Sequence, residues 1–172
     1  MALPLIIGFV GVGLMVGLAG CGSAIGVSIG GMATLGAIKK KEEAFAPGLV
    51  LSALPGTQGL YGFGAFFLLK GVLTPQITMF EAAGLLAAGL IMGLAGLVSA
   101  IYQGKVCANG IVGIASGADV FGQTMIMAVF PELYAIVAFA VCFLIKGIIT
   151  YGITKVPSLI KKMKLDYRDY FL

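Results

Sequence analysis

The sequence predicts an all-α membrane protein whose four transmembrane helices form two tandem helical hairpins, and three observations lead there. Of the 172 residues, 60% are hydrophobic and only 10% charged, with mean hydropathy +1.10; a soluble domain carries roughly a quarter charged residues. Apolar runs longer than the ~18 residues that suggest a membrane span occupy about 4–38, 47–76, 79–113 and 121–154. The second pair of runs also repeats the first at an offset of 76 residues, the separation of Pro55 and Pro131. At that offset "GLAG" 17–20 meets "GLAG" 93–96, "SAI" 23–25 meets "SAI" 99–101, and "FLLKG" 67–71 meets "FLIKG" 143–147. Phe45 and Phe63 meet Phe121 and Phe139. Chance agreement of two apolar helices gives scattered Ala and Leu matches, not Ser, Pro, Phe, Lys and Gly in one register. Both halves hold two runs, so the repeat is parallel, unlike the inverted repeats common in transporters.

The first hairpin covers residues 1–76. "MALPLIIGFV" has no basic leading region and no small-residue cleavage site, and is read as the start of the first span rather than a signal peptide. Within that span, Gly22, Gly26 and Gly30, and the pair Gly13 and Gly17, recur every four residues, a spacing that lets helices approach closely. "GFVGVG" (8–13) lies inside an apolar run with no lysine and no strand before it, so no nucleotide site is expected. The turn "AIKKKEEAFAPG" (37–48) leads to the second span, and "LTPQITMFE" (73–81) joins the halves. The second hairpin, 77–155, echoes the small residues at Gly89, Gly93, Gly96, Ala100 and Gly104 and turns at "IASGADVFGQ" (114–123). Runs of 30–35 residues reach about 45–52 Å, beyond the ~30 Å hydrocarbon core, so the hairpins project past the membrane. The bulky Phe63, Phe66, Phe67, Phe139 and Phe143 lie on spans two and four, facing lipid, with slim spans one and three inside. Curvature of that kind closes a ring of copies. The charged tail, 156–172, is expected to be an interfacial segment.

The net charge of +4 is carried at helix ends, in one loop and in the tail, so no nucleic-acid partner is expected. Lys70 and Lys146 snorkel toward headgroups, and Lys105 lies about 200° around the helix from Gln103. Cys21, Cys107 and Cys142 lie within spans with no metal-like spacing and no histidine to complete a zinc site, and are assigned to packing.

Against this background Glu132, in "AVFPELYAIV", is conspicuous, because an ionisable residue inside a span is costly and marks a functional site. The repeat isolates it: its counterpart is Gly56, and Gln103, Tyr134 and Leu133 face Val27, Gln58 and Thr57. Gln103 lies about 11 residues before the second turn, Glu132 about 12 after it, and Gln58 about 12 after the first. All three therefore fall ~16–18 Å from the same membrane side. Thr57, Gln58 and Tyr61 border one face of the second span. Amide and hydroxyl oxygens with one carboxylate suit a hard cation, and one carboxylate balances one unit charge. The expectation is Na⁺ (or Li⁺) at Glu132, Gln103, Gln58 and Thr57, with H⁺ competing for the carboxylate.

These residues carry a family resemblance. A double hairpin with "LPGTQGLYGF", "YQGK" and "FPELYAIV" resembles the proteolipid rotor subunit, subunit K, of bacterial sodium-transporting V-type ATPases, over residues 5–155. The resemblance implies Na⁺ held by Glu132, Gln103, Thr57, Gln58 and the backbone carbonyl of Leu54, with Tyr61 hydrogen-bonded to Glu132. It also implies partners: identical copies in a ring, a stator subunit with an essential arginine, central-shaft subunits docking at cytoplasmic hairpin turns, and surrounding membrane lipids. The chain would be a multi-pass cell-membrane protein and an ion carrier, not itself an enzyme, its rotation coupled to ATP hydrolysis or synthesis elsewhere. A proton-specific rotor subunit, a small secondary transporter and a non-transporting membrane scaffold are the alternative functions.

Overall fold

The computed structural model describes the backbone of residues 2–169 and the side chains of residues 3–152. Within these residues five α-helices follow one another: α1 (Ala2–Ile38), α2 (Phe45–Ala53), α3 (Thr57–Leu69), α4 (Met79–Ala115) and α5 (Phe121–Asp169). Among the described residues there is no strand. Three stretches, Leu3–Ile38, Met79–Ala115 and Phe121–Gly152, are long and apolar enough by themselves to cross a membrane. The expected tail, 156–172, lies outside the residues whose side chains are described, although the α5 backbone runs on to Asp169.

The second apolar run, expected as one span over about 47–76, is divided in the structure. It is interrupted at Leu54–Gly56 by a single tight 3₁₀ turn that joins α2 to α3. Together Phe45 to Leu69 still reach about 37 Å at 1.5 Å per residue. Pro55 and Pro131 both lack an N–H and crowd the preceding turn, yet α5 passes through Pro131 without a break. The next residues account for the difference. Pro55 is followed by Gly56 and Thr57, poor helix formers, whereas Pro131 is followed by Glu132 and Leu133, good ones. Thr57 Oγ1 further stabilises the turn by donating to the Leu54 carbonyl at 3.0 Å.

Local chemistry sets the connections. Thr78 and Glu81 form a reciprocal capping box that starts α4, the Glu81 carboxylate accepting from Thr78 N at 2.7 Å, which satisfies two otherwise orphaned donors. At the end of α4, Gly117 has φ +91°. Ala118 N donates to Gly113 O and Gly117 N to Ile114 O, the paired bonds of a Schellman stop that needs glycine at the left-handed position.

α1 and α4 run parallel in close contact along most of their length, because glycines on both helices remove the side chains that would hold them apart. A Cβ on Gly22 would lie 2.5 Å from Leu97 Cα, one on Gly11 2.6 Å from Leu85 O, and one on Gly93 2.6 Å from Leu14 O. Gly30 instead approaches Ser52 of α2, while Gly13 and Gly17 have nothing within 4 Å. The phenylalanines divide: Phe63, Phe67 and Phe143 are exposed, whereas Phe66 and Phe139 pack partly against the core.

That core comes in two apolar blocks. One gathers Met15, Leu69, Leu85, Met92, Ala135 and Cys142. The other gathers Leu51, Cys107, Ile111 and Ala128. Along α2–α3, α4 and α5 the polar residues fall between the blocks: Gln58 between Leu51 and Leu69, Gln103 between Met92 and Cys107, Glu132 between Ala128 and Ala135. The fold therefore closes one polar layer between two dry ones.

Candidate functional site

The layer begins with Gln58 and Gln103, both fully buried. Burying an amide without partners costs a few kcal/mol, and none of these is left unpaired. Gln58 Nε2 donates to Gln103 Oε1 at 2.7 Å and to Ser99 Oγ at 3.1 Å. Gln103 Nε2 donates to the Ala128 carbonyl at 2.9 Å and to Glu132 Oε2 at 3.1 Å. Among the described residues, no buried side-chain nitrogen or oxygen lacks a hydrogen-bond partner.

Glu132 receives a second bond from the other side. Tyr61 Oη donates to Glu132 Oε1 at 2.7 Å, and the Tyr61 ring lies at 27° to Phe139, centroids 6.0 Å apart. Phe139 thus supports the ring whose hydroxyl reaches the acid. Both oxygens of the carboxyl group are engaged by neutral donors on two other helices. Thr57 Oγ1 lies 3.0 Å from the Leu54 carbonyl and 3.3 Å from Gln58 Oε1. Three oxygens of different chemical type thereby converge at the turn between α2 and α3.

All six positions singled out in the sequence join one hydrogen-bonded cluster: Leu54 through its carbonyl, and Thr57, Gln58, Tyr61, Gln103 and Glu132 through their side chains. Lys105 does not join it. Its Nζ sits 4.7 Å from the centre of the Tyr102 ring. Lys70 likewise lies over Phe67, at 4.5 Å. Cys107 and Cys142 are buried in packing positions as expected, but Cys21 is exposed.

Sequence reasoning overlooked Ser99. Its Oγ donates to the Pro131 carbonyl at 2.8 Å while accepting from Gln58, so it ties α3 and α5 together through α4. Two signals could have found it: it lies one helical turn from Gln103 on the same face, and it is the repeat partner of Ser23. Ser23 Oγ accepts from Gly59 N at 2.7 Å. In both halves, then, a serine of the first helix braces backbone beside the proline of the second.

Chemically, the cluster offers one carboxylate, two amides, two hydroxyls and a turn carbonyl. Such a set can hold a proton on the acid or supply oxygens to a hard monovalent cation. The glutamine amides can present oxygen or nitrogen to the carboxylate according to the surrounding hydrogen-bond network. Among the described residues, no cluster of three His, Cys, Asp or Glu side chains exists. A multi-carboxylate divalent-metal centre therefore has no counterpart among them.

Comparison with known proteins gives this arrangement a lineage. The family model for the ATP synthase C subunit matches residues 10–69 and again residues 86–145, each boundary displaced by the same 76 residues as the two prolines. The chain is 41% identical over 142 residues to A-type ATP synthase subunit K of Methanocaldococcus jannaschii, covering 83% of this chain and 62% of that protein. It is 39% identical over 126 residues to V-type sodium ATPase subunit K of Enterococcus hirae, covering 73% of this chain and 81% of that one. This duplicated chain belongs to the ATP synthase C-subunit family, whose members are non-catalytic, ring-forming membrane components of ATPase complexes.

Proposed function

We propose that the chain is the ion-carrying subunit of the membrane rotor of a V- or A-type ATPase in the cell membrane, and that Na⁺ is its cargo. The hairpins 1–76 and 77–155 act as one carrier. The second supplies the charge at Glu132 and the amide of Gln103; the first supplies Thr57, Gln58, Tyr61 and the Leu54 carbonyl. The observation that carries this reading is the pair of hydrogen bonds on Glu132, from Tyr61 and Gln103, inside a cluster with further oxygen donors. A lone proton needs only the acid and a partner or two. The additional amide and hydroxyl groups favour an alkali cation, and the sodium named in the Enterococcus hirae relative supports the same choice.

The physical logic is charge cancellation. An ionised glutamate facing hydrocarbon costs several kcal/mol, whereas a carboxylate with one monovalent cation is neutral and can pass lipid. Emptying the site requires a replacement positive charge, the role proposed for a stator arginine. Shaft subunits would dock at the turns around 37–48 and 114–123, on the cytoplasmic side. With Gly56 where the first half would hold an acid, each chain carries one ion per four helices.

Equilibrium binding of ²²Na⁺ to the purified oligomer tests this reading. One saturable site per chain is expected, lost in Glu132→Gln. Binding that does not saturate, or that survives the substitution, rejects sodium carriage at this site. A proton-specific carrier would show no sodium saturation while still losing transport in Glu132→Gln.

A further inference from the structure

The number of protons available gives each amide in the polar layer a direction. Gln103 Nε2 lies 2.9 Å from the Ala128 carbonyl and 3.1 Å from Glu132 Oε2. A backbone carbonyl can only accept, so the nitrogen of Gln103 faces α5 and its Oε1 faces α3. There Gln58 Nε2 donates to it at 2.7 Å. The second N–H of Gln58 reaches Ser99 Oγ at 3.1 Å. Ser99 is able to receive it because its single proton goes to the Pro131 carbonyl, at 2.8 Å. Two donor chains therefore leave Gln58, one through Gln103 to Ala128 and one through Ser99 to Pro131. Both end on backbone carbonyls of α5.

With both N–H groups spent, Gln58 has only its oxygen left for the other side, where Oε1 lies 3.3 Å from Thr57 Oγ1. Turned over, the same amide would aim its N–H groups at the Thr57 hydroxyl and the Leu54 carbonyl, both able to accept. Hydrogens would then stand where a cation needs an oxygen. Gln58 is fully buried, so an N–H deprived of Ser99 finds its next acceptor inside the cluster, and inversion supplies one. We infer that Ser99 is a positioning residue for the ion: by receiving the second Gln58 N–H it keeps the Gln58 oxygen turned toward Thr57. It thereby favours a cation at the site and leaves the proton on Glu132 unaffected. Its hydrogen bonds run to Gln58 and Pro131, and among the described residues it makes none to Glu132. The repeat supplies a natural contrast. Ser23, the equivalent serine, accepts from Gly59 N at 2.7 Å, a brace on backbone with no amide side chain to orient.

The inference rests on the sodium reading above, and two measurements on the purified oligomer keep the two apart. One is ²²Na⁺ binding; the other is the pH profile of carbodiimide labelling of Glu132 in sodium-free buffer. Ser99→Ala is expected to weaken sodium binding about three- to tenfold, the range of one neutral hydrogen bond. The labelling profile is expected not to move, because Tyr61 and Gln103 still hold both oxygens of the acid. Ser99→Thr keeps the hydroxyl and is expected to restore most of the affinity. Ser23→Ala removes a brace of the same kind and is expected to lower the unfolding midpoint in detergent while binding sodium as the unsubstituted chain does. Ser99→Cys, close in size but a weak acceptor, gives the same two readouts if Ser99→Ala does not assemble. Unchanged sodium affinity in the Ser99 variants overturns the assignment and leaves the sodium reading standing. A labelling profile that shifts along with the affinity also overturns it, since the serine would then act on the acid. Equal weakening in Ser23→Ala reduces Ser99 to a structural brace. Absence of saturable binding in the unsubstituted chain rejects the sodium reading and the assignment with it.

Discussion

Tyr61 and Ser99 hold the carboxyl group in place by different means, and substitution separates them. Tyr61→Phe keeps the stack on Phe139 and removes only the hydroxyl that reaches Glu132. A hydrogen bond to a charged group contributes about 1.5–3 kcal/mol, so the variant is expected to hold its ion roughly tenfold more weakly or worse. The ²²Na⁺ dissociation constant measures this, and an unchanged constant would show that the phenol does not grip the occupied state. Ser99→Ala touches no atom of Glu132. It removes a second bond from the Pro131 carbonyl, which keeps its partner within α5, and leaves one Gln58 N–H without a partner, an unsatisfied-group cost of about 1–3 kcal/mol. A lower unfolding midpoint in detergent is expected, and an unaltered midpoint would mean water replaces the hydroxyl without loss. Most of the site could be read from residue types and their depth, since a single acid among glutamines at one level has few explanations. Ser99 escaped because serine in a membrane helix commonly bonds to its own backbone one turn back, as Ser28 does to the Ala24 carbonyl; only the packing of α4 between α3 and α5 gives it other partners.

Among the helices, the α1–α4 contact is the one least tolerant of added volume. A Cβ on Gly22 meets backbone atoms of Leu97 and Gly96 at 2.5–2.9 Å, and backbone cannot rotate away as a side-chain tip can. Gly22→Leu should therefore destabilise the fold by at least the ~1–3 kcal/mol typical of overpacking. Gly13→Ala, with nothing within 4 Å in the chain, should leave the stability of the dissociated chain intact. Thermal unfolding of both variants in detergent compares them, and equal midpoints would mean the helices part without penalty. The existence, order and approximate limits of the long helices were legible because apolar length and the 76-residue repeat survive inspection of letters alone. The break at Leu54–Gly56 was not, since Pro55 and Pro131 look equivalent. Their fates diverge through Gly56 and Glu132, residues first noticed for charge rather than for helix propensity. The different fates of Gly13 and Gly22 were equally hidden, because identical spacing does not say which face a neighbour covers.

At the scale of the whole molecule, the proposed cargo and the proton compete for one group, which fixes the sign of the pH response. Carbodiimides modify the protonated carboxyl, and sodium binds the ionised one. Labelling of Glu132 is expected to rise as pH falls and, at any fixed pH, to fall as Na⁺ is added. Peptide mass spectrometry of the labelled chain checks both trends. Equal labelling with and without Na⁺ across pH would defeat sodium as the cargo while leaving the proton carrier standing.

The interruption between α2 and α3 also divides mechanical labour between two halves that began alike. The acid stands on a continuous rod, where its position along the membrane normal is held by unbroken backbone on either side. The Leu54 carbonyl, Thr57 and Gln58 stand at or beside a tight turn, where the hydrogen-bond ladder of the helix changes pitch. Duplication without divergence would have produced two rods or two turns; with divergence, one chain meets its polar layer with a rod from one half and a turn from the other.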